Sequence, residues 1–396
     1  MRPGREMTLL LLALGAMFGQ QTFASIGRSL PTVIAPAIID DLSLDPAWVG
    51  VYVSLAAFGS LMFQLGCGSF IIRCGALRMS QVALVCVAAG LAAGSTGLML
   101  MFAVSAVIGG GGAAMSTPAS SHLLGRYTPM RYLPLVFSIK QTAVPAGLLL
   151  AGLLGPAITE RISWRAALDI AAIASLAFAL LLQPLAKEYD ADRDPSRQFR
   201  MSDFATTIIS VLKTTEMRNL SLACFAFNGL QTVFTSYFII FLVEAGYGLA
   251  GAGLVFSIAM LVAVPGRILW GWLGSTIVSP RAIMAGLALG MAGSTVAMGF
   301  FGPAWPVVLT GFVAICLSMT VMSWHGVMLA EAARLAPPGE RGAATGGMLS
   351  FGQVGALLLP LVYAALLWAT GSHGLGFAVC GLPALIIGMA LLRPAR

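Results

Sequence analysis

Lys187-Glu188-Tyr189-Asp190-Ala191-Asp192-Arg193-Asp194-Pro195-Ser196-Arg197 opens the one segment that interrupts an otherwise apolar chain. Residues 187–218 hold twelve charges of both signs, Asp190, Asp192, Arg193, Asp194, Arg197 and Arg200 among them. Elsewhere charge is scarce. Of 396 residues, 58% are hydrophobic and only 9% are charged, against ~25% in an ordinary soluble domain. A soluble surface cannot be built from so few charges. The hydrocarbon core of a bilayer is ~30 Å thick, and each helix that crosses it needs roughly 20 apolar residues.

Twelve such stretches can be placed, at 8–38, 46–70, 79–97, 99–124, 132–158, 164–184, 219–243, 250–274, 281–301, 305–331, 342–368 and 375–392. They use nearly the whole sequence and leave no room for a water-soluble catalytic domain, so no enzyme is expected. The charged segment falls after the sixth stretch. The expected organisation is a first six-helix half at 1–186, a solvated linker at 187–218 with a surface helix around Asp203–Leu212, and a second half at 219–396. Residues 1–25 read as the start of a retained first span, because the apolar run continues past any cleavage point. Gly94-Ser95-Thr96-Gly97 and Gly302-Pro303 are connections too short for anything but antiparallel neighbours.

The net charge of +7 is not that of a nucleic-acid binder. Its cations lie in short loops, with no interleaved aromatics. One set of loops carries Arg73, Arg78, Arg126, Arg131, Arg281, Arg334 and Arg341; the opposite set carries Asp40, Asp41, Asp45, Glu160 and Glu244, with only Arg161 and Arg165 as cations. By the positive-inside bias the first set faces the cytoplasm, and an even number of spans puts both termini there. Cys67, Cys74, Cys86, Cys224, Cys316 and Cys380 form no CxxC pair and read as packing residues.

The halves resemble one another. Moving the second span forward by 203 residues lays Gly50 on Gly253, Ser54 on Ser257, Gly68 on Gly271 and Arg78 on Arg281. Ser138-Ile139-Lys140-Gln141 matches Ser350-Phe351-Gly352-Gln353 at an offset of 212. A duplicated half-chain is the preferred reading.

Gly68-Ser69-Phe70-Ile71-Ile72-Arg73-Cys74-Gly75-Ala76-Leu77-Arg78 resembles the loop Gly-x-x-x-Asp-Arg-x-Gly-x-x-Arg of the major facilitator superfamily, with Ile72 at the acidic position. The second copy, Gly271 to Arg281, is more eroded. The partial run Gly147, Gly152, Gly155 and Pro156 is similar to a fifth-span motif of exchangers in that family. Ser138 to Pro145 and Trp324 to Glu331 resemble bacterial members, which points to a bacterial inner membrane. The resemblance implies an all-α integral membrane fold of twelve helices in two pseudo-symmetric six-helix bundles. It implies alternating access to a midplane site, with Gly68, Arg73, Gly75, Arg78, Gly271 and Arg281 in gating loops and the Ile72 position leaving the latch weak or supplied elsewhere.

An ionisable group deep in a span costs about 2.5–3.5 kcal/mol by insertion scales, and so marks a functional candidate. Lys140 lies nine residues beyond Arg131, about 13 Å along a helix. It is the expected main contact for an anionic solute, unless it snorkels or pairs with a carbonyl. Arg28, in the outer part of span one, is the expected second cation, with pairing to Asp40 or Asp41 as the alternative. Gln20, Gln21, Gln141, Asn228, Gln231 and Gln353 suit hydrogen bonding to a polar solute, and equally helix-to-helix bonds. His325 beside Trp324 is a possible proton carrier. Spans one to five hold no buried Asp or Glu, which argues against coupling through a central acid. No metal cluster, cofactor motif or nucleotide loop is present. The expected function is secondary transport of a small solute, foremost an organic carboxylate, by a monomer in the bilayer, with a coupling ion left open. A multidrug or metabolite exporter is the alternative, and a non-transporting sensor or scaffold is the rival of another class.

Overall fold

The structure is a computed structural model that describes residues 3–129, 133–196, 208–209, 211–212, 214–300, 305–335 and 341–393. Twelve helices in it are long and apolar enough to cross a bilayer. Span one is Pro3–Val33, two Trp48–Cys74, three Ala76–Ser95 and four Met99–Tyr127. Span five is Leu133–Gln141 continued by Ala143–Arg161, and span six is Trp164–Leu181. Spans seven, eight and nine are Thr215–Glu244, Leu249–Thr276 and Pro280–Met298. Span ten is Val307–Val321 continued by His325–Leu335, and spans eleven and twelve are Arg341–Thr370 and His373–Leu392. They form two six-helix bundles, as read from the sequence.

Three elements differ from continuous helices. Span one was expected to run to residue 38, but a separate helix, Ala35–Leu42, begins after Ile34. Pro36 has no N–H for the Thr32 carbonyl, so the first helix ends there. Span five breaks at Thr142, and span ten breaks over 322–324. Both breaks lie inside the membrane, where every freed carbonyl needs a donor.

The duplicated positions do duplicated work. A Cβ on Gly50 would lie 2.5 Å from the Pro360 carbonyl oxygen, and one on Gly253 would lie 2.4 Å from that of Gly152. Each glycine therefore lets its half press backbone to backbone on the other. One turn on, Ser54 Oγ donates to the Leu357 carbonyl at 2.6 Å and Ser257 Oγ to the Leu149 carbonyl at 3.0 Å. Arg78 reaches Gln183 beyond the end of span six at 3.1 Å, while Arg281 donates to the Leu391 and Arg393 carbonyls at the end of span twelve. Gly68 and Gly271 both face open space.

The seam is tight on the face away from the linker. There the Tyr237 hydroxyl donates to the Ala47 carbonyl at 3.5 Å, and Ala250 N–H donates to Glu160 at 2.9 Å. We call this the far face, and the opposite one the linker face.

The reading of residues 187–218 as a solvated linker needs correction at its start. Tyr189 is 2% exposed, and its hydroxyl donates to the Leu9 carbonyl at 2.6 Å. Asp190 is 5% exposed and accepts from the N–H groups of Leu77 and Arg78 at 2.8 and 3.0 Å. Asp192 pairs with Arg126 at 2.6 Å, and Asp194 N–H donates to the Ile72 carbonyl at 2.8 Å. The cause is the helix start of span three, whose first N–H groups have no intrahelical acceptor and attract a carboxylate. Gly75, at φ 102°, leaves the room that a Cβ would take from Asp190. Burial pushes the Asp190 carboxyl above its ordinary range, against the pull of the two N–H donors. The carboxylate missing at Ile72 thus arrives from the charged segment after span six, where Asp190 caps span three. The expected helix around Asp203–Leu212 lies largely outside the described residues, as does Arg131.

Candidate functional site

Between the bundles, mid-membrane, lies a cavity of about 190 Å³. Span one contributes Gln21, Ser25, Arg28 and Ser29 to its wall, and span seven contributes Asn228, Gln231, Thr232 and Thr235. These positions recur at helical spacing, so each span turns a polar face to the cavity. Gln141, Arg267, Trp324, His325 and Gln353 complete the polar lining, with Gln64 and Thr117 beside them. Among the described residues, no Asp or Glu lines it.

Six of the eight expected substrate residues meet here: Arg28, Gln21, Gln141, Asn228, Gln231 and Gln353. Several are already engaged. Gln21 accepts from Thr117 at 3.3 Å, Asn228 donates to the Gly352 carbonyl at 2.8 Å, and Gln353 donates to Gln64 at 3.4 Å. Gln231 accepts from the Trp324 indole at 2.9 Å, and the His325 ring stacks on that indole with centroids 3.7 Å apart. His325 Nδ1 is buried without a hydrogen-bond partner among the described residues. Arg28 is partly exposed to the cavity. The described residues give it no hydrogen bond or ion pair, to Asp40 and Asp41 least of all: Asp41 is held by Trp164 and Arg165 at 3.0 and 2.9 Å.

The structure places two of the expected residues away from the cavity. Lys140 is 0% exposed and does not line the cavity, and its Nζ has no hydrogen-bond partner among the described residues. Its backbone sits beside the cavity, as Gln141 shows, on the part of span five that packs against spans one and four. Gln20 is also 0% exposed, and donates to Ser116 at 2.8 Å within the same bundle. In both cases the residue next along the helix, about 100° round the axis, is the one that meets the cavity.

Arg267, in span eight, was missed. Its Nε donates to the Met322 carbonyl and its Nη1 to the Gln141 carbonyl, each at 2.7 Å, while Nη2 is buried without a partner. The rule that singled out Lys140, an ionisable group deep in an apolar span, applies equally to Arg267. Among the described residues of the gating loops, Arg73 and Arg78 are exposed, and Gly75 closes on Asp190. The cysteines are unpaired.

Comparison with known proteins agrees with this architecture. The nucleoside transporter NupG superposes with a TM-score of 0.78 over 97% of this chain and 100% of its own, at 12% identity. A POT family transporter solved with a thioalcohol-conjugated peptide, and one solved with 5-aminolevulinic acid, each give 0.72 over 96% of this chain and 95% of theirs, at 15% identity. At such identities the likeness is one of fold. No curated protein matches the chain in sequence. The sequence profile of the Major Facilitator Superfamily, however, matches residues 17–360. With twelve spans, a repeated half and a polar cavity between the bundles, the chain belongs to that transporter superfamily.

Proposed function

We propose that this protein is a secondary carrier of a small organic anion, with a carboxylate as the group recognised. One observation carries the reading: two arginines, Arg28 and Arg267, line a cavity between the bundles whose wall holds no carboxylate among the described residues. In a low-dielectric site a cation without a counter-charge is costly, and an anionic solute relieves that cost. A guanidinium also offers a planar fork that matches a carboxylate. Around the arginines, Gln21, Asn228 and Gln353 orient the solute, and Trp324 with His325 gives it an aromatic wall. The role first expected of Lys140 passes to Arg267.

Transport follows alternating access. The far-face seam through Gly50, Ser54, Gly253 and Ser257 opens as the linker face closes. The linker face is cytoplasmic by its arginines, in a bacterial inner membrane. His325 is the candidate proton carrier.

Thermal unfolding of purified protein with added carboxylates tests the reading. Succinate, benzoate or a related acid should raise Tm in the native protein but not in Arg28→Gln. Lys140→Met should keep the response. Equal stabilisation by neutral solutes of the same size would overturn the charge assignment. Dye efflux from inverted vesicles would favour an exporter of drugs or metabolites, and absence of solute flux in proteoliposomes would favour a sensor or scaffold.

A further inference from the structure

Arg267 occupies an unusual place. Span five breaks after Gln141, and Pro145 stands four residues on. Having no N–H, Pro145 cannot return a hydrogen bond to the Gln141 carbonyl. Span ten breaks after Val321, which frees the Met322 carbonyl. One freed carbonyl belongs to the first half and the other to the second, and a single guanidinium holds both at 2.7 Å. Bonds from an ionised donor at such lengths are among the stronger ones in proteins. The span that carries Arg267 packs along span five, where Ser257 bonds the Leu149 carbonyl nearer the far face. The Arg267 contact ties the same pair of helices deeper in the membrane, at the cavity wall.

We infer that Arg267 is a latch: in the empty carrier it binds the broken backbone of both halves and holds them in the present arrangement, and an anion entering the cavity releases it by competing for the guanidinium. This rests on the anion reading above and adds to it the means by which occupancy permits movement. A carboxylate is a better partner for the fork than a neutral carbonyl, and Nη2, buried and without a partner among the described residues, is a donor left over to take one of its oxygens. Turning the guanidinium toward the solute leaves the Gln141 carbonyl without its cross-seam donor, so spans five and eight are free to slide. Arg28 has no such role. It makes no bond across the seam among the described residues.

The latch can be tested without knowing the solute. Spin labels at Leu98→Cys and Val308→Cys, exposed at the far-face ends of spans four and ten, report opening of that face. Cys67, Cys224 and Cys380 are buried, and the partly exposed Cys74, Cys86 and Cys316 are replaced by Ser so that labelling selects the introduced pair. In buffer without added carboxylate, double electron–electron resonance should give one narrow distance in the otherwise native protein. Arg267→Gln should add a second, longer population of at least a fifth of the molecules, and Arg267→Lys, whose ammonium lacks the fork, should lie between. Arg28→Gln removes a cavity cation yet should keep the single distance. Identical distributions in Arg267→Gln and native protein would overturn the latch, as would equal broadening in Arg28→Gln. Failure of carboxylates to stabilise the native protein would instead count against the anion reading.

Discussion

The two halves of this protein agree at their shared seam and disagree at the cavity. Along the seam, Gly50 and Gly253 admit a partner backbone, and Ser54 and Ser257 each donate one hydrogen bond to the opposite half. At the far face, Asp41 ties the short helix Ala35–Leu42 that follows span one to Trp164 and Arg165 at the start of span six. Glu244 at the end of span seven likewise meets His373 at the start of span twelve, at 2.8 Å. In the cavity the likeness ends. The first half gives Arg28 from span one, and the second gives Arg267 from span eight. Lys140 falls opposite Gly352 in the repeat, so the first half keeps a sealed cation where the second has a backbone carbonyl bonded to Asn228. On the proposed alternating access both halves rock alike, which would keep the seam contacts the same in each. A solute site is set by the solute's own chemistry and not by the repeat, so the two halves need not contribute alike to it.

The largest expected effect tests the seam. Gly50→Ala and Gly253→Ala should each prevent closure of the far face and lower transport more than tenfold, because neither new methyl has space. Gly68→Ala and Gly271→Ala, which meet open space, should leave the far-face distance as it is. If only one of the first pair matters, the equivalence of the halves fails. Next come the starts of spans three and nine. Asp190→Ala strands two N–H donors and should cost about 2 kcal/mol of stability. Ser279→Ala removes a single cap to Ala282 N–H and should cost ~1 kcal/mol; thermal unfolding in detergent would rank them. Ser54→Ala and Ser257→Ala should each weaken the closed far face by about 1 kcal/mol, roughly a fivefold shift in the population of that state. Equal shifts support a symmetric seam.

The smallest effect is the pH response of the exposed Asp41 tie. The hydrogen bonds from Trp164 and Arg165 hold its carboxyl below the ordinary range. Its contribution is therefore present at neutral pH and is lost as pH falls through that lowered value. Asp41→Asn should remove this acid-dependent part of the unfolding profile. Glu244→Gln, its counterpart, should leave it in place.

Much of this was legible in the residues. Twelve apolar runs fix twelve crossings, since a backbone in hydrocarbon must satisfy its own hydrogen bonds and a helix is the way a single segment can do so. The offset that joins Gly50 to Gly253 and Arg78 to Arg281 exposed the duplication, because equivalent contacts require equivalent small or charged residues. Polarity within apolar spans picked out eight residues, six of which line the cavity. Arg267 obeyed the same rule and was equally readable.

What tertiary structure alone decided is direction. A span of this composition is apolar nearly all round, so periodicity does not say whether Lys140 or Gln141 faces the seam; a rotation of about 100° exchanges them. Nor can a linear reading tell that Asp190, far along the chain, ends at the first turn of span three. Hydrophobic length sets how many helices cross a membrane, but only their packing sets which side of each one meets the passage.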